Sequence, residues 1–197
     1  MLIFGGGKNM ETEITVQVHE PLEEIFEKLK KKGYKLEESV VMRDRYFSKF
    51  TVKKLLSLKY KTVLANSFLI RSFDGEENSA KIVYKNKVIK GDIVLMEEKI
   101  STKIASPEDA EKVFLMAGLT NWCNLVQHMY IFKNEKMEMA VQDVENLGIF
   151  IEYEEDERVS GLSVQEKIKK MKDKLKEIGF ILGDDYGCKK PFMMLHK

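Results

Sequence analysis

Glu11-Thr12-Glu13-Ile14-Thr15-Val16-Gln17-Val18 is the stretch from which the rest of the chain is read. With a period of two, Ile14, Val16 and Val18 fall on one side, and Glu11, Glu13, Thr15 and Gln17 on the other. That is a strand with an apolar face for a core and a polar, acidic face. The plainest reading is a sheet edge whose polar side is wet. The alternative is that the polar side lines a space. Two carboxylates ~7 Å apart on one strand face could share a divalent cation, because Mg²⁺ and Mn²⁺ favour oxygen ligands.

Beyond this strand, Pro21 with Glu23 and Glu24 predicts a helix start. Leu22, Ile25, Phe26 and Leu29 repeat at helical spacing, and Lys30, Lys31, Lys32 and Gly33 mark the helix end. Residues 34–47 read as extended, residues 49–58 as either a short amphipathic helix or irregular, and residues 59–73 as extended again. Residues 80–89 and 93–104 read as strands joined by a tight turn at Lys90-Gly91-Asp92. The opening plan then recurs. A helix starts at Pro107, Glu108 and Asp109, buries Ala110, Val113, Phe114 and Ala117, and ends at Gly118. Residues 122–132, 137–144 and 149–155 read as strands, with turns at 133–136 and 145–148. Val164, Ile168, Met171, Leu175 and Ile178 form the apolar stripe of a last helix before Gly179. Residues 184–197 form a tail that can pack back through Phe192, Met193, Met194 and Leu195. Many strands with few helices, and strand-helix-glycine-strand in each half, argue for an α+β protein with a mostly antiparallel sheet, open or closed into a barrel.

The chain has 197 residues, 44% of them hydrophobic and 33% charged, with a formal net charge of +1. That suits a single domain over residues 10–197, with residues 1–9 a tail ahead of a start at Met10. The near-neutral balance points to no nucleic-acid and no membrane partner. No apolar run is long enough to span a bilayer, and no signal peptide is recognisable. Two isolated cysteines, Cys123 and Cys188, suggest a reducing, cytoplasmic setting. Gly5-Gly6-Gly7-Lys8 lacks the spacing and the Ser/Thr of a phosphate loop.

Four passages together resemble the CYTH superfamily, the triphosphate tunnel metalloenzymes, which includes class IV adenylate cyclases, thiamine triphosphatases and inorganic tripolyphosphatases. Glu11-Thr12-Glu13-Ile14-Thr15 looks like the family's Glu-x-Glu-x-Lys signature. Arg43-Asp44-Arg45-Tyr46-Phe47 resembles its Asp-x-Tyr-Phe strand. Phe68-Leu69-Ile70-Arg71, with Ile82-Val83-Tyr84-Lys85 after it, resembles its Leu-Arg-Ile-Arg strand and the following lysine strand. The stretch from Val141 to Glu154 is similar to its Leu-Asp-x-Val-x-x-Leu-Gly-x-Phe-x-Glu-x-Glu ending, and is the most specific of the four.

The resemblance implies a mostly closed, eight-stranded antiparallel β-barrel, a tunnel, with helices packed outside. It implies Mg²⁺ or Mn²⁺ held by Glu11, Glu13, Glu152 and Glu154, and a small phosphate-containing ligand gripped by Arg71 and Lys85. Glu98 falls near a further acidic position. The implied activity is metal-dependent hydrolysis or cyclisation of tripolyphosphate, thiamine triphosphate or a nucleoside triphosphate. This chain departs from the pattern where Thr15, Leu69, Gln127 and Met129 stand at basic positions and Gln142 at the aspartate, with Asp143 aimed at the other face. Each charge-assisted phosphate contact contributes ~1.5–3 kcal/mol. The stripped set therefore predicts reduced activity and an interior acidic on balance. The alternative is a catalytically inactive domain of this fold that binds a phosphate compound, a metal or a protein.

Other groups are weaker candidates. His19, His128 and His196 lack metal-ligand spacing. Cys123 near His128 imitates a nucleophile–base pair but reads better as a packed thiol. Lys53, Lys54, Lys59, Lys61 and Tyr60 read as a solvated face, and Trp122 as core or rim.

Overall fold

The computed structural model describes residues 13–76, 79–90, 93–135, 137–154 and 161–197, without the side chains of 86–90 and 93–99. The expected tail at 1–9, Glu11, the turn at Gly91-Asp92 and Lys136 lie outside the described residues, as does the side chain of Glu98. The elements run β1 (Glu13–Val18), α1 (Leu22–Lys31), β2 (Lys35–Ser48), α2 (Val52–Leu56), α3 (Tyr60–Ala65), β3 (Ser67–Phe73), β4 (Lys81–Lys90) and β5 (Ile93–Lys103). They continue with α4 (Pro107–Met116), β6 (Thr120–Lys133), β7 (Glu138–Val144), β8 (Gly148–Glu154), α5 (Val164–Ile178) and α6 (Lys190–Leu195).

All eight strands form one antiparallel sheet in the order β1-β8-β7-β6-β2-β3-β4-β5. The two long strands, β2 and β6, pair at its centre, and a meander runs outward from each. This is the structural counterpart of the repeated strand-helix-glycine-strand plan. α1 ends at Gly33 before β2, and α4 ends at Gly118 before β6.

The outer face holds the main core. Ile14, Val16 and Val18 of β1 lie with Ile151 and Tyr153 of β8, Met139 and Val141 of β7, and Phe132 of β6. Against them pack Ile25 and Leu29 of α1 and Met171, Leu175 and Ile178 of α5. Phe26 sets its ring against Tyr130 and Phe132, with centroids 4.9 and 5.0 Å apart. α5 begins with a reciprocal capping box between Ser163 and Glu166 and ends at Gly179, whose φ of 91° is a conformation glycine adopts without strain.

Two expectations are corrected and a third is met only in part. First, residues 60–65 are helical, not extended. Tyr60, Val63 and Leu64 stand at helical spacing, and Val63 is fully buried. Secondly, α4 buries none of its residues completely. Val113 is 62% exposed, and the helix is held through Phe114, whose ring packs on Phe47 and Phe68. Thirdly, the sheet is not closed by hydrogen bonds, because its terminal strands β1 and β5 do not pair. The outer edge of β1 is taken instead by the C-terminal segment. Thr15 N–H donates to Tyr186 O (3.1 Å), Cys188 N–H to Thr15 O (3.1 Å), Gly183 N–H to Gln17 O (2.8 Å) and His19 N–H to Ile181 O (2.9 Å). Edge groups satisfied in this way have no hydrogen bonds left for β5.

Candidate functional site

The inner face of the sheet follows from register. Thr15 pairs with Glu152 and Glu13 with Glu154 across β1 and β8. Glu152 faces Ala140, and Gln142 lies between Phe150 and Met129. Asp44 pairs with Arg71, and Arg71 with Lys81. Directly opposed residues in antiparallel strands share a face. The polar halves of these alternating strands therefore line the side opposite the main core.

That face is strongly curled. In a flat sheet, β8 and β4 would lie ~24 Å apart, five strands at 4.8 Å each. Yet Lys85 of β4 and Arg71 of β3 both act on the carboxylate of Glu152 in β8. Burial opposes ionisation of Glu152, but Lys190, Lys85, a hydrogen bond from Gln142 and Arg71 outweigh it and hold the carboxyl below its ordinary range.

Glu13, Glu152 and Glu154 converge. One carboxylate oxygen from each lies within 4.8 Å of the others. Thr15 donates its hydroxyl to Glu13 Oε1 (3.1 Å). Gln142 donates Nε2–H to Glu152 Oε2 (3.1 Å). Of the four glutamates singled out from sequence, the structure brings these three together, and Glu11 lies outside the described residues.

Arg71 reaches the same face but is already engaged. Its Nε and Nη2 form a two-point pair with Asp44 Oδ1 and Oδ2, at 2.7 and 2.6 Å. Asp44 is 1% exposed and the Arg71 side chain 12%. Burial works against the guanidinium's charge, but Asp44 more than compensates, so the pKa of Arg71 is raised. Beside it, burial and the charge of Arg71 push the Lys81 ammonium below its usual range.

Two site residues were not foreseen. Asp44 stands in the sequence only within the stretch that resembles an Asp-x-Tyr-Phe strand. Its alternation with Met42 and Tyr46 placed it on an inward face, and that was the available signal. Lys190 gave none. It comes from the C-terminal tail, donates a hydrogen bond to Gln142 Oε1, and places Nζ 3.6 Å from Glu152 Oε2. Burial pushes its ammonium down, against the attraction of Glu152, Glu13 and Asp44. Lys190 and Lys85 act on Glu152, and Arg71 on Asp44 and Glu152, so positive groups are set among the carboxylates of this face.

One end of the face is filled by a second apolar cluster. Leu55 of α2, Val63 of α3, Trp122, Cys123, Leu125, Val144, Phe150 and Cys188 are buried there, and Phe192, Met193, Met194 and Leu195 of α6 pack on them. Trp122 is thus core, with its ring centroid 5.4 Å from that of Tyr46. Leu69 and Met129 are likewise buried. Gln127 is 1% exposed, and its Oε1 has no hydrogen-bond partner among the described residues. Cys123 and His128 differ in strand parity and point to opposite faces. Burial drives the Cys123 thiol up to about 12, and His128 lies 3.8 Å from Glu145 instead. A surface groove of about 530 Å³ at Gly33, Lys35, Glu37, Lys133, Asn134 and Glu135 contains none of these groups.

An eight-stranded antiparallel sheet with helices packed on it is a fold shared with known proteins. No family model matches the chain. It is similar to the curated "Putative adenylate cyclase MJ0240" of Methanocaldococcus jannaschii, 26% identical over 159 residues, covering 81% of this chain and 83% of that one. Among solved structures, the PH1012 protein of Pyrococcus horikoshii superposes with a TM-score of 0.65 at 20% identity, over 90% of this chain and 98% of its own. HpAC1 of Hippeastrum, described as a "putative adenylyl cyclase" with a dominant triphosphatase activity, superposes with a TM-score of 0.61 at 15% identity, over 95% of each chain. No helix among the described residues is long and apolar enough to cross a membrane.

Proposed function

We propose that the chain is a divalent-metal-dependent enzyme that hydrolyses or cyclises a triphosphate compound, with reduced activity. One observation carries this reading: Glu13, Glu152 and Glu154 converge on a single point of a face that also holds Lys85 and Arg71. An all-oxygen donor set with partial solvent access fits Mg²⁺ or Mn²⁺. These three glutamates, with Glu11 added from the sequence alternation alone, would hold the metal. Its role when bound is to neutralise charge on the phosphate oxygens. Lys85 supplies positive charge from the opposite part of the curled sheet. Arg71 supplies charge too, but two of its donor atoms are committed to Asp44, so its phosphate contact is weaker than a free fork would make. In this reading the curled sheet and the C-terminal segment bound a tunnel-like space closed by side chains. Names borne by similar proteins, an adenylate cyclase and a chain with triphosphatase activity, support a triphosphate substrate in general terms.

The engaged Arg71, together with uncharged Thr15, Leu69, Gln127 and Met129, favours a second reading: a domain of this fold that binds a phosphate compound, metal or protein without turnover. Assays with tripolyphosphate, thiamine triphosphate and ATP, each with Mg²⁺ or Mn²⁺, decide between the two. The first reading expects metal-dependent release of phosphate or pyrophosphate that falls at least 100-fold in Glu152→Gln. Calorimetric triphosphate binding without any turnover would select the second.

A further inference from the structure

The C-terminal segment reaches the carboxylates by a defined route. Ile181 N–H donates to the buried Glu20 carboxylate, which Lys28 also holds. Residues 181–188 then follow the edge of β1 through the hydrogen bonds described above. α6 seats Phe192, Met193, Met194 and Leu195 on the cluster containing Trp122. The first residue of α6 is Lys190, whose side chain is 12% exposed and whose ammonium lies 3.6 Å from Glu152 Oε2.

A cation held by Glu13, Glu152 and Glu154 would stand ~2.1 Å from each oxygen, and so within ~8 Å of that ammonium. Like charges at that distance repel strongly where water is scarce. Lys190 therefore already gives Glu152 the positive neighbour that a metal would otherwise supply.

We propose that Lys190 is a tethered counter-cation that competes with divalent metal for these carboxylates, so that metal occupancy and the seating of α6 are antagonistic. Metal entry displaces Lys190 and loosens α6, and the seated helix holds the metal-free site neutralised. This rests on the metal reading under Proposed function, and it concerns Lys190 alone.

The full chain is titrated with Mn²⁺ by calorimetry, as wild type, Lys190→Met and Lys190→Arg. Seating of α6 is followed with Mg²⁺ through the emission of Trp122, the single tryptophan. Lys190→Met is expected to bind Mn²⁺ at least tenfold more tightly than wild type, and Lys190→Arg to stay close to wild type. Wild-type Trp122 emission is expected to move to longer wavelength on saturation with Mg²⁺, a readout that needs no variant to fold. Equal or weaker Mn²⁺ affinity in Lys190→Met overturns the proposal, and so does unchanged Trp122 emission at metal saturation. Absence of metal binding in both wild type and Lys190→Met overturns the metal reading itself, and the antagonism with it.

Discussion

β1, β8 and β7 send alternate residues into two environments that are stabilised differently. On the outer face, Ile14, Val16, Ile151, Val141 and Met139 meet α1 and α5 in an apolar core. Burial of apolar area suffices there, and any partner of the right volume serves. On the inner face, Thr15, Gln142, Glu152 and, further round the sheet, Asp44 and Arg71 are held by directional contacts to particular atoms. Removing one partner there leaves another group buried and uncompensated, at a greater cost than the contact itself is worth. The outer face makes the sheet stable, and the inner face makes the fold specific about which charges meet.

The sharpest way to separate the two is Asp44→Ala. It strands the Arg71 guanidinium, and urea unfolding should show a loss of about 3–5 kcal/mol. The double variant Asp44→Leu with Arg71→Met should recover most of that loss, since apolar replacement of a buried pair is often neutral. Failure of the double variant to recover stability would mean that the inner face depends on packing as the outer one does. Leu175→Ala, on the outer face, should cost about 3 kcal/mol through the cavity it leaves. No second charge substitution should restore it. Ser163→Ala breaks the capping box of α5 and should cost about 1 kcal/mol without changing metal binding, which calorimetry checks. The smallest effect is chemical. Burial raises the thiols of both Cys123 and Cys188, so neither should react with a thiol reagent within minutes at pH 8 unless urea is present. Fast reaction of Cys188 in the native protein would show that the segment covering the inner face is loosely seated.

Much of the outer face was readable in the chain itself. The period-two pattern of Ile14, Val16 and Val18, the helical stripe from Val164 to Ile178, and the glycines after α1, α4 and α5 all report local geometry, and the structure follows them. Periodicity misled at α4, because Val113 satisfies the helical spacing whether or not a sheet lies beneath it. At α3, the richness of residues 59–73 in Val, Leu, Ile and Phe suggested a strand, but residues 60–65 form a helix that buries Val63 in the apolar cluster at the end of the inner face. On the inner face, Glu13, Glu152 and Glu154 were marked by motif and parity, whereas the Asp44–Arg71 pair and Lys190 were not.

The amino-acid order by itself determined which side of β1 is apolar, where α1, α4 and α5 lie, and which glutamates share a face, because each of these depends on neighbours within a few residues. Only the tertiary structure decided that β1 pairs with the tail rather than with β5, that Arg71 is claimed by Asp44, and that a lysine seven residues before the last residue of the sequence neutralises Glu152. Such choices rest on the curl of the sheet and on contacts between residues far apart in the chain, where electrostatics depends on distance in space and leaves no periodic trace in the sequence.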